Sequence, residues 1–253
     1  MSILDLVNVR WHEGFQAIKK PRSAVLDGAF RGIPELAAGE CGSCDACTAV
    51  CAARAIAPRP LAIDLGRCTL CGDCARACPA GRIRFSNEHR MGASARESLV
   101  VREGDVVRDY SGRIVPARRE VRRILGRSLR VRSVSAGGCN GCELELNATG
   151  NVNFDIGRYG IEIVASPRHA DALLLTGPVT AAMAGALDDV WRMMPEPKLF
   201  IAAGACAISG GVFDGSPALD RSFFDGRVPD LCLPGCPVHP LTFVEGILGL
   251  LGR

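Results

Sequence analysis

The chain has 253 residues, is 48 % apolar and carries a formal net charge of +3, so it can bury a sizeable core in one or two domains. Thirteen cysteines are far more than packing needs, and metal ligation is favoured over disulfides because nothing at the N-terminus reads as a signal peptide. Residues 1–135 carry 23 Lys/Arg against 14 Asp/Glu and residues 136–253 carry 7 against 13, so the halves are +9 and −6; the basic side chains lie on loops and one short helix without interleaved aromatics, which argues for a docking or solvated surface and against nucleic acid.

In chain order, residues 2–20 place Ile3, Leu6, Val7, Trp11, Phe15 and Ile18 near helical spacing, and Lys19, Lys20 and Pro21 end the run. One amphipathic helix is expected. Its polar face mixes both charge signs, so packing on its own domain or on a partner subunit is favoured over a membrane surface. Residues 21–40 read as a Gly/Pro-punctuated connector. The strongest local signal follows: CGSCDACTAVC places Cys41, Cys44, Cys47 and Cys51, and CTLCGDCARACP repeats the spacing at Cys68, Cys71, Cys74 and Cys78, each cysteine recurring 27 residues later. In such a duplication three thiolates of each run hold one cubane cluster and the fourth ligates the other. One 4Fe-4S cluster is therefore assigned to Cys41, Cys44, Cys47 and Cys78, and a second to Cys68, Cys71, Cys74 and Cys51. Zinc also uses paired C-x-x-C units, but it has no use for a third cysteine followed by C-x-x-x-C.

Beyond the cysteine runs a polar hairpin-like stretch is expected from Leu99 to Val115. PARREVRRILGR then reads as a short helix with Pro116 near its first turn and Gly126 at its end, and its stripe of Val121, Ile124 and Leu125 is expected to pack between the two halves. From Leu129 short apolar strands alternate with helices: LRVRSVS, IEIVA, DALLLTG, KLFIAAG and VPDLCLPG as strands, with helices over Cys142–Thr149, Thr180–Met194 and Pro240–Leu251. That alternation predicts an α/β, doubly wound parallel sheet, whose ligands sit beyond the carboxyl ends of the strands. Cys139 and Cys142 follow the first strand, Cys206 follows KLFIAAG and Cys236 follows VPDLCLPG, so these four are expected to converge on one edge and hold a third 4Fe-4S cluster. Cys232, inside an apolar strand, is read as a buried small hydrophobe. No G-x-G-x-x-G follows the first strand, so nucleotide binding has little support. The longest apolar stretch, around Leu241 to Leu251, is interrupted by Glu245 and too short to span a bilayer.

Two resemblances add to this reading. Residues 35–90 resemble bacterial-type two-cluster ferredoxins, a small α+β domain, with Ala52 where a proline usually follows the first run. With SAGGCNGCELELNA, SPRHADALLLTGPVT, AAGACAISGGVF and LPGCPVHP, the C-terminal part resembles the small subunit of group 4 energy-converting nickel-iron hydrogenases, kin of the 20 kDa cluster subunit of complex I. The C-x-x-C spacing of Cys139 and Cys142 is the hydrogenase form. The resemblance implies a flavodoxin-like sheet and a proximal cluster on Cys139, Cys142, Cys206 and Cys236. It further implies a nickel-iron site in a separate large subunit, other subunits of a membrane-bound complex, a ferredoxin or dehydrogenase donor, and a peripheral position on the cytoplasmic face of the membrane. The expected division is 1–34 helix and connector, 35–90 ferredoxin-like domain, 91–128 linker and 129–253 small-subunit domain. Glu143 and Glu145 are candidates for proton relay, with a helix-dipole role favoured; His239 is expected at a surface helix start and His169 against its own domain or a partner. Electron relay in a hydrogenase is the leading reading. A complex I-like quinone or sulfur reductase without nickel and a free-standing carrier or assembly factor are the alternatives.

Overall fold

The computed structural model describes residues 2–105, 112–125 and 128–253. Helix α1 (Ile3–Glu13) begins with a reciprocal cap, the Ser2 hydroxyl accepting from the Asp5 N–H and the Asp5 carboxylate accepting from the Ser2 N–H. It ends at Gly14, well short of Lys20, and none of its side chains is buried; Trp11 is 85 % exposed. The expectation that it packs on its own domain fails.

The cysteine-rich unit runs through β1 (Pro34–Leu36), α2 (Ala46–Ala49), β2 (Ile56–Pro58), β3 (Leu61–Asp64), α3 (Asp73–Ala77), β4 (Ile83–Phe85) and β5 (Val100–Arg102). β1 and β4 form an antiparallel pair, and β2, β3 and β5 form a second, antiparallel sheet. Each helix starts inside a cysteine loop and leads into a strand, so the sequence repeat is a structural repeat. In the stretch from Leu99 to Val115, Val100–Arg102 pairs with β3 across the domain, and the hairpin expected there falls partly on residues 106–111, which lie outside the described residues.

The second unit comprises α4 (Arg119–Leu125), β6 (Leu129–Ser135), α5 (Gly141–Ala148), β7 (Ile161–Ile163), β8 (Ala172–Thr176), α6 (Ala181–Met193), β9 (Leu199–Ala203), α7 (Ala205–Ser209), β10 (Leu231–Leu233) and α8 (Pro240–Leu250). The sheet is wholly parallel in the order β10-β9-β8-β6-β7. Counting its strands along the chain, this is the 2-1-3-4-5 order of flavodoxin-like sheets. Strands covered on both faces need no polar alternation, and β8, β9 and β10 are buried at every position.

The two faces have different cover. Leu174, Ile201 and Leu233 belong to one core with Phe243 and Ile247 of α8, whereas Leu173, Leu175, Phe200 and Cys232 belong to another with Leu187 of α6. The second core continues through Met91 and Ala93 into Ile63 and Leu99 of the cysteine-rich unit. The two units therefore share one interior. At the seam Ala93 and Cys232 exchange backbone hydrogen bonds of 3.0 and 2.8 Å, and the Thr242 hydroxyl donates to the His89 carbonyl at 2.7 Å. Cys232 is 2 % exposed, as expected of a small hydrophobe.

Pro116 precedes α4 rather than opening it, and Gly126 lies outside the described residues. Leu125 and Val121 pack into the α8 core while Ile124 is 67 % exposed. The helix therefore leans on the C-terminal helix, not between the halves, because the Ala117 N–H donates to the Leu250 carbonyl at 2.8 Å just before it starts. No helix among the described residues is long and apolar enough to cross a membrane.

Candidate metal centres

Three groups of thiols come together. In the first, Cys41 and Cys78 lie close enough to Cys47 that their charges add to the rise that burial gives its thiol. In the second, burial pushes Cys68 up to about 12 and Cys74, Cys51 and Cys71 add to the rise. The last cysteine of each run thus stands with the other run, Cys78 beside Cys41 and Cys47, and Cys51 beside Cys68, Cys71 and Cys74. Cys44 is exposed in the turn after Cys41, its N–H donating to the Cys41 carbonyl at 2.9 Å. The repeat extends to the hydrogen bonds: the Ala55 N–H donates to Cys51 Sγ at 3.3 Å and the Arg82 N–H to Cys78 Sγ at 3.4 Å, each four residues on.

The third group is assembled by the sheet. Turns beyond the carboxyl ends of β6, β9 and β10 bring up Cys139 and Cys142, then Cys206, then Cys236. Burial pushes Cys142 up to about 12, with Glu143, Cys236 and Cys206 adding to it, and the Val238 N–H bonds its sulfur. Cys206 is pushed up to about 11 by burial and by Cys236 and Cys139, and Cys139 likewise raises Cys236. Glycine makes the approach possible. A Cβ on Gly204, whose φ is +92°, would stand 2.7 Å from Cys142 Sγ, and one on Gly211 would stand 3.1 Å from Cys206 Sγ.

These donor sets fit iron-sulfur clusters chemically. Burial first, and neighbouring cysteines after it, raise the thiols of Cys47, Cys68, Cys74, Cys142, Cys206 and Cys236, and bound cations would offset the cost of holding such thiolates together. Among the described residues no three His, Cys, Asp or Glu are close enough to hold one metal ion; a cube with an iron at each of four corners spreads its thiolates more widely than a single zinc with bonds of about 2.3 Å.

The second group faces the third. Arg54 and Arg67, neighbours of Cys51 and Cys68, both reach Asp214 on the turn after Cys206, Arg54 donating to its carbonyl at 3.1 Å and Arg67 pairing with its carboxylate at 2.9 Å. Beside the first group, Arg82 Nη1 stands 2.7 Å from Cys41 Sγ. Sequence reasoning missed Arg82, although its signal was present: Ala55 is its counterpart in the repeat, so the duplication breaks there.

Glu143 is no simple dipole acid. Its Oε1 accepts from the hydroxyl of fully buried Thr176 at 2.6 Å, tying α5 to the end of β8. Glu145 is raised by burial alone. His239 is half-buried rather than on the surface, edge-on to Phe30 and Phe154 at 5.0 and 6.0 Å, and its Nδ1 accepts from the Leu241 N–H at 3.2 Å as the cap of α8. His169 is exposed in the turn before β8, at the edge of the sheet opposite the cysteines, so it does not pack against its own domain.

The pattern of the family described as NADH ubiquinone oxidoreductase, 20 Kd subunit, matches residues 139–250, and a 4Fe-4S binding domain matches residues 61–83. Formate hydrogenlyase subunit 7 of Escherichia coli (strain K12) is 46 % identical over 50 % of this chain and 49 % of its own length. The "probable membrane-bound hydrogenase subunit mbhJ" of Pyrococcus furiosus is 41 % identical over 50 % of this chain and 75 % of its own. An NADH-quinone oxidoreductase subunit of Citrifermentans bemidjiense is 43 % identical over 43 % of this chain and 64 % of its own.

Proposed function

Because this chain belongs to the NADH ubiquinone oxidoreductase 20 Kd subunit family and is an oxidoreductase subunit with a 4Fe-4S binding domain, we propose that it relays electrons through three 4Fe-4S clusters to or from a nickel-iron site in a separate large subunit. The ligands are Cys41, Cys44, Cys47 and Cys78 for the outer cluster, Cys68, Cys71, Cys74 and Cys51 for the middle one, and Cys139, Cys142, Cys206 and Cys236 for the terminal one. The units 35–90 and 129–253 carry two clusters and one. Bound clusters supply one-electron transfer. The chain supplies the rest. Its thiols fix the clusters in series, the Ala55, Arg82 and Val238 N–H groups donate to their sulfurs, and the shared core holds both units in register.

The observation that carries the hydrogenase reading is the C-x-x-C spacing of Cys139 and Cys142, the form that resembles hydrogenase small subunits, together with relatives named for formate hydrogenlyase and membrane-bound hydrogenase. The complex places the chain peripherally at the cytoplasmic face of a membrane, with the exposed apolar side chains of α1 turned to another subunit. A ferredoxin or a dehydrogenase supplies electrons to the outer cluster. The likeness to an NADH-quinone oxidoreductase subunit favours a second reading, the same relay feeding a quinone reductase without nickel. Nickel analysis and hydrogen evolution of the complex that co-purifies anaerobically with this chain separate the two: nickel with hydrogen evolution supports the hydrogenase, and iron without either supports the reductase.

A further inference from the structure

We propose that Arg82 makes the two halves of the duplicated domain electrically unequal, raising the reduction potential of the cluster on Cys41, Cys44, Cys47 and Cys78 above that of its twin on Cys51, Cys68, Cys71 and Cys74. The inference rests on the cluster assignment proposed above. The 27-residue repeat provides the internal control, since Arg82 follows Cys78 by four residues as Ala55 follows Cys51. Their backbone N–H groups do the same work, at 3.4 and 3.3 Å from the two sulfurs. Their side chains do not.

The Arg82 guanidinium is only 7 % exposed and each part of it is held. Nε and Nη2 donate to the Ala37 carbonyl at 3.1 and 2.9 Å, Nη2 pairs with Glu103 at 2.9 Å, and Nη1 is left against Cys41 Sγ at 2.7 Å. At the twin position Ala55 is 4 % exposed and its side chain offers no donor, and Cys68 Sγ accepts from the Leu70 N–H at 3.4 Å. A reduced cluster is one charge more negative than an oxidised one. A fixed cation at a ligand sulfur therefore stabilises the reduced form more, and does so strongly where water is excluded. Glu103 offsets part of that charge from the far side of the guanidinium. The outer cluster is thus the first of the pair to accept an electron and the one where an electron rests before moving inward.

A merely structural Arg82, closing the Ala37 carbonyl and the Glu103 carboxylate, would move stability but no potential. The test is an anaerobic redox titration of the co-purified complex, followed by electron paramagnetic resonance, for the natural chain, Arg82→Met and Glu103→Gln. Arg82→Met should lower one ferredoxin-type signal by at least tenfold in its reduction equilibrium, about 59 mV for a one-electron couple, and leave the other in place. Glu103→Gln should raise the same signal. If both variants leave both signals where they were, or shift the two alike, the inference is overturned. Should Arg82→Met fail to take up its cluster, Glu103→Gln decides alone, because it keeps Arg82. A natural chain without two ferredoxin-type signals would overturn the cluster assignment itself, and this inference with it.

Discussion

Gly204 and Cys142 meet where the end of β9 passes the first turn of α5, so closely that a Cβ on Gly204 would stand 2.7 Å from Cys142 Sγ. No side chain fits there, and the backbone φ of +92° disfavours one independently. Gly204→Ala should therefore cost the terminal cluster while sparing the two upstream. Iron content should fall by about a third, from about 12 to about 8 per chain for cubanes of four irons, with the ferredoxin-type signals unchanged. Unchanged iron would contradict the account of the third site.

The seam between the units is held by apolar burial more than by charge. Arg67 and Asp214 are about a third exposed on each side, and such pairs contribute about 0–1 kcal/mol. Met91 is 3 % exposed within the shared core, where truncation to Ala costs about 2–5 kcal/mol. Thermal unfolding should show Met91→Ala well below Asp214→Asn. The reverse order would mean that the ion pair holds the seam.

His239 gives stability a slope in acid. Burial lowers its pKa to about 4 from 6.5, so the native state favours the neutral ring that caps α8. That stabilisation is complete above pH 6.5 and is lost as pH falls towards 4, by up to ~3 kcal/mol at 1.36 kcal/mol per pKa unit. His89 is shifted the same way by burial, whereas Glu245, raised by burial, opposes the slope. His239→Asn keeps a capping acceptor and does not titrate. Its stability measured from pH 7 to 5 should fall less steeply than that of the natural chain; parallel curves would refute the assignment.

Helix α1 should be dispensable to the fold. With none of its side chains buried, removing residues 2–13 should shift unfolding by no more than ~0.5 kcal/mol, while the amount of partner subunit that co-purifies falls. A large loss of stability would place the helix on its own domain after all.

Much of this was legible in the chain because its determinants are local or periodic. Cysteine spacing carried the grouping of the thiols, and the apolar runs LLL and LFIAA carried the doubly covered parallel sheet. What stayed hidden depends on tertiary contact. Val100–Arg102 reads like one arm of a hairpin with its sequence neighbours, yet its partner β3 lies about forty residues upstream. His239 looks like a surface cap until Phe30, some two hundred residues away, is folded against it. The Arg82 contact with Cys41 was detectable only by asking where the repeat fails to repeat.

The most direct test of the three-cluster relay is the iron and acid-labile sulfide content of the anaerobically purified chain. The account predicts about 12 of each per chain, four for each cubane, falling to about 8 in Cys142→Ser with the two ferredoxin-type signals intact. About 8 in the natural chain, or zinc in place of iron, would contradict it.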